Sequence, residues 1–267
     1  RDAMAQVIIQ ELDVIKKEYS KKRRTLIENA QEAVYEEKKP EEMDVIFLMD
    51  KFGYCKTIDM TTYERNKEAA DAEFKYVVKC RNTGRICVFT NTGQLHTIKV
   101  VDIPFGKFRD KGQPIDNISN YNSANEDILA ITSQSEMNLY RLLFVTKQSM
   151  CKIISGGEFD VAKRTVTSTK LSEGDEIVSV VVLNEQQHII LQSKEGYFLR
   201  FDISEISEVK KTALGVHGMK MGDNDYIEQV FYTYAGQNTK IEYKGKQIDM
   251  NKLKVAKRDA KGTKIRV

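Results

Sequence analysis

The sequence predicts a mainly β protein, a radial, propeller-like array of about five blades preceded by one N-terminal helix. Three observations carry this expectation. Apolar residues recur at helical spacing in the first 30 positions, alternation with a period of two begins at Met43, and one strand–turn–strand motif returns five times. With 267 residues, 41% of them hydrophobic, the chain is long enough to bury a packed core.

In chain order, Ile8, Leu12, Ile15, Tyr19 and Leu26 line one stripe of a helix expected over residues 1–30, with charged residues opposite. Residues 31–42 are polar and acidic and include Pro40, which reads as a linker. The β region is then expected over residues 43–267, with β-rich runs at 45–49, 86–90, 142–146 and 189–192. Each run leads into the same turn and a second strand. The copies include Phe47-Leu-Met-Asp-Lys-Phe-Gly53-Tyr-Cys-Lys-Thr-Ile, Val88-Phe-Thr-Asn-Thr-Gly93-Gln-Leu-His-Thr-Ile and Ile190-Leu-Gln-Ser-Lys-Glu-Gly196-Tyr-Phe-Leu-Arg-Phe. A third copy, at 143–154, has Ser149 in place of glycine, and a fifth is shortened around Gly245. Glycine suits these turns because tight hairpins need positive φ. Hairpins look alike in any all-β protein, so two copies would mean little; five in succession, at the spacing of propeller blades, identify a repeat. The shortened fifth unit is expected to pair with its neighbours and close the ring beside the first, bringing the C-terminal segment next to Arg65.

Charge is unevenly distributed. The formal net charge is +3, yet residues 240–267 hold ten basic and three acidic side chains, a local +7, while residues 1–42 hold nine basic and ten acidic ones. A basic face on a mildly acidic body suits a polyanionic partner. After each hairpin a basic residue precedes a small one, as in Arg109-Asp-Lys-Gly112, the stretch 164–169, Lys211-Thr-Ala-Leu-Gly215 and Arg258-Asp-Ala-Lys-Gly262. Glycine there would let backbone approach a partner, and a neighbouring cation could neutralise a phosphate. The candidate contacts are Arg65, Lys107, Arg109, Lys111, Lys163, Arg164, Lys210, Lys211, Lys220, Lys254, Lys257, Arg258, Lys261 and Lys264.

Other chemistry finds little support. Cys55, Cys80, Cys87 and Cys151 form no CxxC pair, and with His96, His188 and His217 they give no zinc spacing, so buried free thiols are expected and no metal site. No nucleophile–base pair or phosphate-cradling loop stands at meaningful spacing, and Gly156-Gly157 reads as a turn. The run Lys21-Lys-Arg-Arg24 reads equally as a solvated helix end or an incidental contact with the polyanionic partner. No stretch approaches the roughly 18 apolar residues of a membrane span and no signal-peptide pattern opens the chain, so a cytoplasmic location is expected.

The units Gly53-Tyr-Cys-Lys-Thr-Ile, Gly93-Gln-Leu-His-Thr-Ile-Lys-Val and Gly196-Tyr-Phe-Leu-Arg-Phe resemble the repeat in the C-terminal domains of the A subunits of DNA gyrase and topoisomerase IV. The lead Glu11-Leu-Asp-Val-Ile-Lys-Lys-Glu-Tyr19 with Arg23-Arg-Thr-Leu-Ile27 looks like the exit from the breakage-reunion domain of such enzymes. The resemblance implies a β-pinwheel whose basic edge binds and bends duplex DNA, within a cytoplasmic ATP-dependent DNA topoisomerase. It also implies a heterotetramer that joins the ATPase B-type subunit to the remainder of the A subunit. The catalytic tyrosine and the magnesium and ATP sites of these enzymes belong to other parts of the holoenzyme. No catalytic residue or cofactor is therefore assigned here, and Tyr19, Tyr54, Tyr63 and Tyr197 are read as core or surface residues. Gyrase A subunits carry a box of the form Q-R-R-G-G-K-G after the first hairpin, where this chain reads Glu64-Arg-Asn-Lys-Glu-Ala-Ala-Asp71, with no glycine and three acids. That departure favours topoisomerase IV. The alternatives are a gyrase A subunit with a degenerate box and, in another class, a propeller scaffold that binds protein and carries its basic segment as a solvated face.

Overall fold

In the computed structural model, residues 2–22, 24–25 and 41–266 are described, and the chain divides into two units, 1–40 and 41–267. In the first, helix α1 (Asp2–Tyr19) exposes Ile8, Leu12, Ile15 and Tyr19. It ends well short of residue 30, because Lys17 and Lys21 would stack like charges one turn apart and an uncovered apolar face adds no packing to offset helix fraying. Leu26 and residues 31–40 lie outside the described residues. Glu41 and Glu42 belong to the second unit rather than to a linker: Asn82 donates to the Glu41 carbonyl at 2.9 Å and Arg81 pairs with Glu42 at 2.8 Å.

The second unit is a β-pinwheel whose repeats interlock. Its first hairpin is β1 (Asp44–Met49) and β2 (Tyr54–Asp59), followed by the short helices α2 (Met60–Arg65) and α3 (Lys67–Glu73). Every later repeat has a leading strand, a hairpin and a short tail strand. In the second these are β3 (Tyr76–Arg81), β4 (Arg85–Thr90) with β5 (Gln94–Lys99), and β6 (Gln113–Pro114). The third has β7 (Ile128–Ser133), β8 (Arg141–Thr146) with β9 (Met150–Ser155), and β10 (Thr165–Thr167). The fourth has β11 (Ile177–Leu183), β12 (Gln186–Ser193) with β13 (Tyr197–Asp202), and β14 (Val216–His217). The fifth has β15 (Ile227–Tyr234), β16 (Lys240–Tyr243) with β17 (Lys246–Asp249), and β18 (Thr263–Lys264).

Each hairpin takes its two outer strands from the next repeat. The four-stranded sheets run β3-β1-β2-β6, β10-β5-β4-β7, β11-β8-β9-β14 and β15-β12-β13-β18, while β16 and β17 form a two-stranded sheet. A hairpin alone has two open edges and is marginal in water. Here the backbone of the following repeat closes both, so no blade is complete without its successor's chain.

Apolar seams lie between consecutive blades. Phe47 and Val45 pack with Ile86 and Val88, Phe89 with Phe144, Leu143 and Val145 with Ile189 and Leu191, and Ile190 and Phe198 with Tyr243 and Met250. The outer face of the first blade, Ile46, Leu48 and Ile58, is covered by Met60, Tyr63 and Ala70 of the two short helices together with Phe74 and Phe108. At the other end the far side of the last hairpin presents Lys240, Glu242 and Gln247. This corrects the expectation of ring closure. The fifth repeat pairs its β15 and β18 with the fourth blade, and the face a closing blade would need is already buried under α2 and α3. Repeat arrays need such end caps because a terminal unit otherwise exposes an apolar face.

The turns behave as read. Gly53, Gly93, Gly196 and Gly245 have positive φ, and Ser149 adopts φ 67° in their place, its buried Oγ accepting the Met219 N–H at 2.7 Å. All four cysteines are buried free thiols, and burial raises each to about 12, which leaves them unreactive near neutral pH.

If α2 and α3 cap the first blade, Phe74→Ala should destabilise the protein by about 2 kcal/mol, less than the roughly 3–5 kcal/mol for truncating a fully buried phenylalanine because Phe74 is only half-buried. It should also promote self-association through the uncovered sheet face. Urea unfolding and analytical ultracentrifugation measure both, with Leu139→Ala, at an exposed position, as the near-neutral control.

Candidate nucleic-acid interface

Three of the tail loops that hold the candidate cations are bonded to one another. Lys170 N–H donates to the Lys211 carbonyl at 2.8 Å, joining the third repeat's loop to the fourth's. Lys220 N–H donates to the Ala260 carbonyl at 3.0 Å and Asp259 N–H to Gly218 at 2.8 Å, joining the fourth to the fifth. Lys163, Arg164, Lys210, Lys220, Lys257, Lys261 and Lys264 are thereby brought, exposed, onto one run of connected loops. Lys107, Arg109 and Lys111 sit on the second repeat's loop against the first blade, where β6 pairs with β2. Arg65 stands apart on α2, and ring closure does not bring it to the C-terminal segment.

The loops are held by charges that the sequence reading passed over. Lys56, buried, donates to the carbonyls of Phe108 and Asp110, and its ammonium lies 5.1 Å from the Phe74 ring centroid and 5.5 Å from that of Phe108. Lys152, 0% exposed, stands at the same position of the third hairpin and donates to the carbonyls of Lys170 and Ala213, both at 2.8 Å. One buried ammonium thus joins two successive loops. In the second hairpin His96 takes this place, within hydrogen-bond distance of Thr165 Oγ1 (3.0 Å) and the Glu126 carboxylate (3.0 Å). Burial lowers the pKa of Lys56 and lowers that of Lys152 to about 8. The repeated Cys-Lys pair inside otherwise apolar strands, Cys55-Lys56 and Cys151-Lys152, was the available signal.

A second clasp uses two of the candidates themselves. Lys211 donates its N–H to the Glu158 carboxylate at 3.0 Å and its ammonium to the Glu158 carbonyl at 3.3 Å. Arg258 donates its N–H to the Glu205 carboxylate at 2.9 Å, Nε to the Glu205 carbonyl at 3.2 Å and Nη1 to the His217 carbonyl at 2.7 Å. These side chains brace their loops. The loop glycines also have an internal reason. A Cβ on Gly112, Gly215 or Gly262 would lie 2.3, 2.4 or 2.6 Å from the carbonyl oxygen of Cys55, Cys151 or Phe198. The close approach they permit is to the preceding blade.

Among the described residues none of the fourteen candidate cations forms an ion pair, whereas Lys79, Arg81, Arg141, Lys147 and Lys252, away from these positions, do. Lys111 instead lies 4.2 Å from the Tyr54 ring centroid, and Lys261 and Lys264 lie 4.9 and 5.1 Å from that of Tyr197. Among the described residues no group of three or more His, Cys, Asp or Glu could hold a metal ion, and no helix is long and apolar enough to cross a membrane.

Residues 140–184 and 187–233 match the family model described as DNA gyrase C-terminal domain, beta-propeller. The DNA gyrase A subunit of Helicobacter pylori strain J99 is 29% identical over 240 residues, covering 85% of this chain and 29% of the relative. The chain belongs to the C-terminal domain family of type IIA topoisomerase A subunits. Another relative, the gyrase A subunit of Metamycoplasma arthritidis, is 23% identical over 277 residues, covering 98% of this chain and 31% of that one. The chain therefore spans about three tenths of the length of these curated relatives. In fold, the type IIA domain is similar to the C-terminal domain of DNA topoisomerase IV, with a TM-score of 0.74, 24% identity and coverage of 85% and 74% of the two chains. The E. coli ParC C-terminal domain gives 0.66, 16% identity and coverage of 84% and 94%. The DNA gyrase A C-terminal domain gives 0.54, 19% identity and coverage of 82% and 76%.

The Lys152 clamp has a pH signature. Its folded pKa, about 8, lies below the ordinary 10.5, so between these values the unfolded chain binds the extra proton and stability rises with pH. Below about 8 both states carry the proton, and above 10.5 neither does. Urea unfolding of the wild type minus that of Lys152→Met, measured at pH 7.5 and pH 10, should show this rise.

Proposed function

We propose that the second unit binds duplex DNA with little sequence preference and guides it along the connected tail loops. The observation that carries this reading is the row of exposed, unpaired cations on hydrogen-bonded loops running from Lys163 to Lys264. Loops braced from within hold their cations at fixed intervals, and a backbone of regularly spaced phosphates is the partner such a row fits. The helix α1, with its exposed apolar stripe, is the part that packs against the remainder of the A subunit, while the B-type subunit completes a cytoplasmic, ATP-dependent topoisomerase that uses magnesium. Neither ATP nor magnesium acts within this chain.

Of the two parent activities, decatenation and relaxation in the manner of topoisomerase IV fit better. The place of a glycine- and arginine-rich box is taken by α2 and α3, which cap the first blade and carry Glu64, Glu68 and Asp71. A full wrap needs more bending energy than a guided bend, and this blade lacks the loop that would offset it. The second reading, a gyrase A subunit without a working box, is favoured by the names of the curated relatives.

Affinity for a duplex should fall linearly on a log–log plot against salt, at about 0.9 per phosphate neutralised. Lys261→Ala with Lys264→Ala should lower that slope by about 1.8, while Lys79→Ala, which removes a cation already paired with Asp44, should leave it unchanged. An unaltered slope in the double variant removes these lysines from the surface. With the reconstituted holoenzyme, decatenation without net negative supercoiling of relaxed plasmid is expected; ATP-dependent negative supercoiling would establish the gyrase reading.

A further inference from the structure

The residue just before the turn position differs in one hairpin. It is Thr92, Gln148, Glu195 and Lys244 in the last four and Phe52 in the first. Four hairpins thus put a polar side chain into water at this point, and the first puts a phenyl ring there, 75% exposed. The ring stands on a well-defined tip, because the Asp50 carboxylate accepts the N–H of Phe52 at 2.8 Å and of Tyr54 at 3.0 Å.

Its surroundings point to a particular partner. Phe52 borders an open cleft of about 600 Å³ together with Lys51, Arg109 and Lys111. Two of the carboxylates there are engaged locally, Asp50 with the turn and Asp110 with the Lys107 N–H at 2.7 Å. The three cations make no ion pair among the described residues, and Lys51 and Lys111 lie over the rings of Phe52 and Tyr54 at 5.1 and 4.2 Å. An exposed aromatic ring on a tip flanked by free cations matches a double helix, which offers an apolar stack between two rows of phosphates.

We propose that Phe52 is a wedge, inserting between base pairs of duplex DNA at the first blade while Lys51, Arg109 and Lys111 contact the flanking phosphates. The proposal rests on the DNA-binding reading above and extends it. Insertion of an apolar side chain unstacks a base step and kinks the duplex by roughly 20–90°. A kink at this blade would turn the DNA where α2 and α3 provide no basic loop to bend it continuously.

The test uses the whole chain and duplexes of about 30 base pairs carrying 2-aminopurine at successive positions, a length that spans a bent site. Wild-type protein should raise the fluorescence of the unstacked analogue. Phe52→Ala should abolish that rise and bind about tenfold more weakly with an unchanged salt slope, whereas Phe52→Leu, still an apolar wedge, should keep most of both. The substitutions are at an exposed tip, so folding is unaffected, which unchanged thermal melting confirms. Wild-type binding with a normal salt slope but no fluorescence rise overturns the wedge alone and leaves the ring for a protein partner. No binding of the wild type at low salt overturns the DNA reading and the wedge together.

Discussion

Everything in the pinwheel depends on one exchange of backbone hydrogen bonds: a hairpin gains its outer strands from the repeat that follows. The two-residue tails β6, β14 and β18 are too short to hold themselves, and they persist because an adjacent hairpin edge offers unpaired N–H and C=O groups. Blades are thereby ordered in sequence, the apolar seams form only between consecutive units, and each tail loop is delivered to the rim of the blade before it.

That delivery is what builds the candidate surface. The loop glycines sit against carbonyls of the preceding hairpin, and the buried ammonium groups of Lys56 and Lys152 collect loop carbonyls from inside. Burying a lysine is costly in an apolar strand, and the lowered pKa of Lys152 registers that cost. Carbonyl partners satisfy the ammonium and in return anchor otherwise unsupported backbone. The cations that remain free are those pointing away from these anchors, whereas Lys211 and Arg258 are drawn into bracing through Glu158 and Glu205.

The ends of the array follow the same logic. An internal blade has a neighbour on each face, but the first has only one, and the chain covers Ile46, Leu48 and Ile58 with two short helices. The helices begin where Asp59 accepts the Thr62 N–H at 2.7 Å, an N-cap that the stretch after the first hairpin carries in plain view. The departure from the gyrase box was legible in Glu64 to Asp71 as missing glycines and added acids. That the replacement is a cap, and that it occupies the face ring closure would require, was not legible, because it depends on contacts with Phe74 and Phe108 beyond the helices themselves.

By itself the sequence determined the features set by neighbours along the chain. The β-rich strand runs, the five turns with positive φ, including the one at Ser149, the leading helix and the concentration of cations in the tail loops are all local patterns. The alternation expected from Met43 onward is not kept in the hairpin strands, which are buried on both faces between blades. The tertiary structure decided what joins what. A tail such as Gln113–Pro114 has no periodicity to read, and its partner Tyr54 lies some 60 residues earlier, so its membership of the first sheet emerges only when the hairpin edge is present to receive it. The split of lysines into buried anchors and exposed contacts has the same origin. Lys152 meets the Ala213 carbonyl 61 residues away, and whether a charge is buried and satisfied or left in water is a property of what surrounds it rather than of the residue.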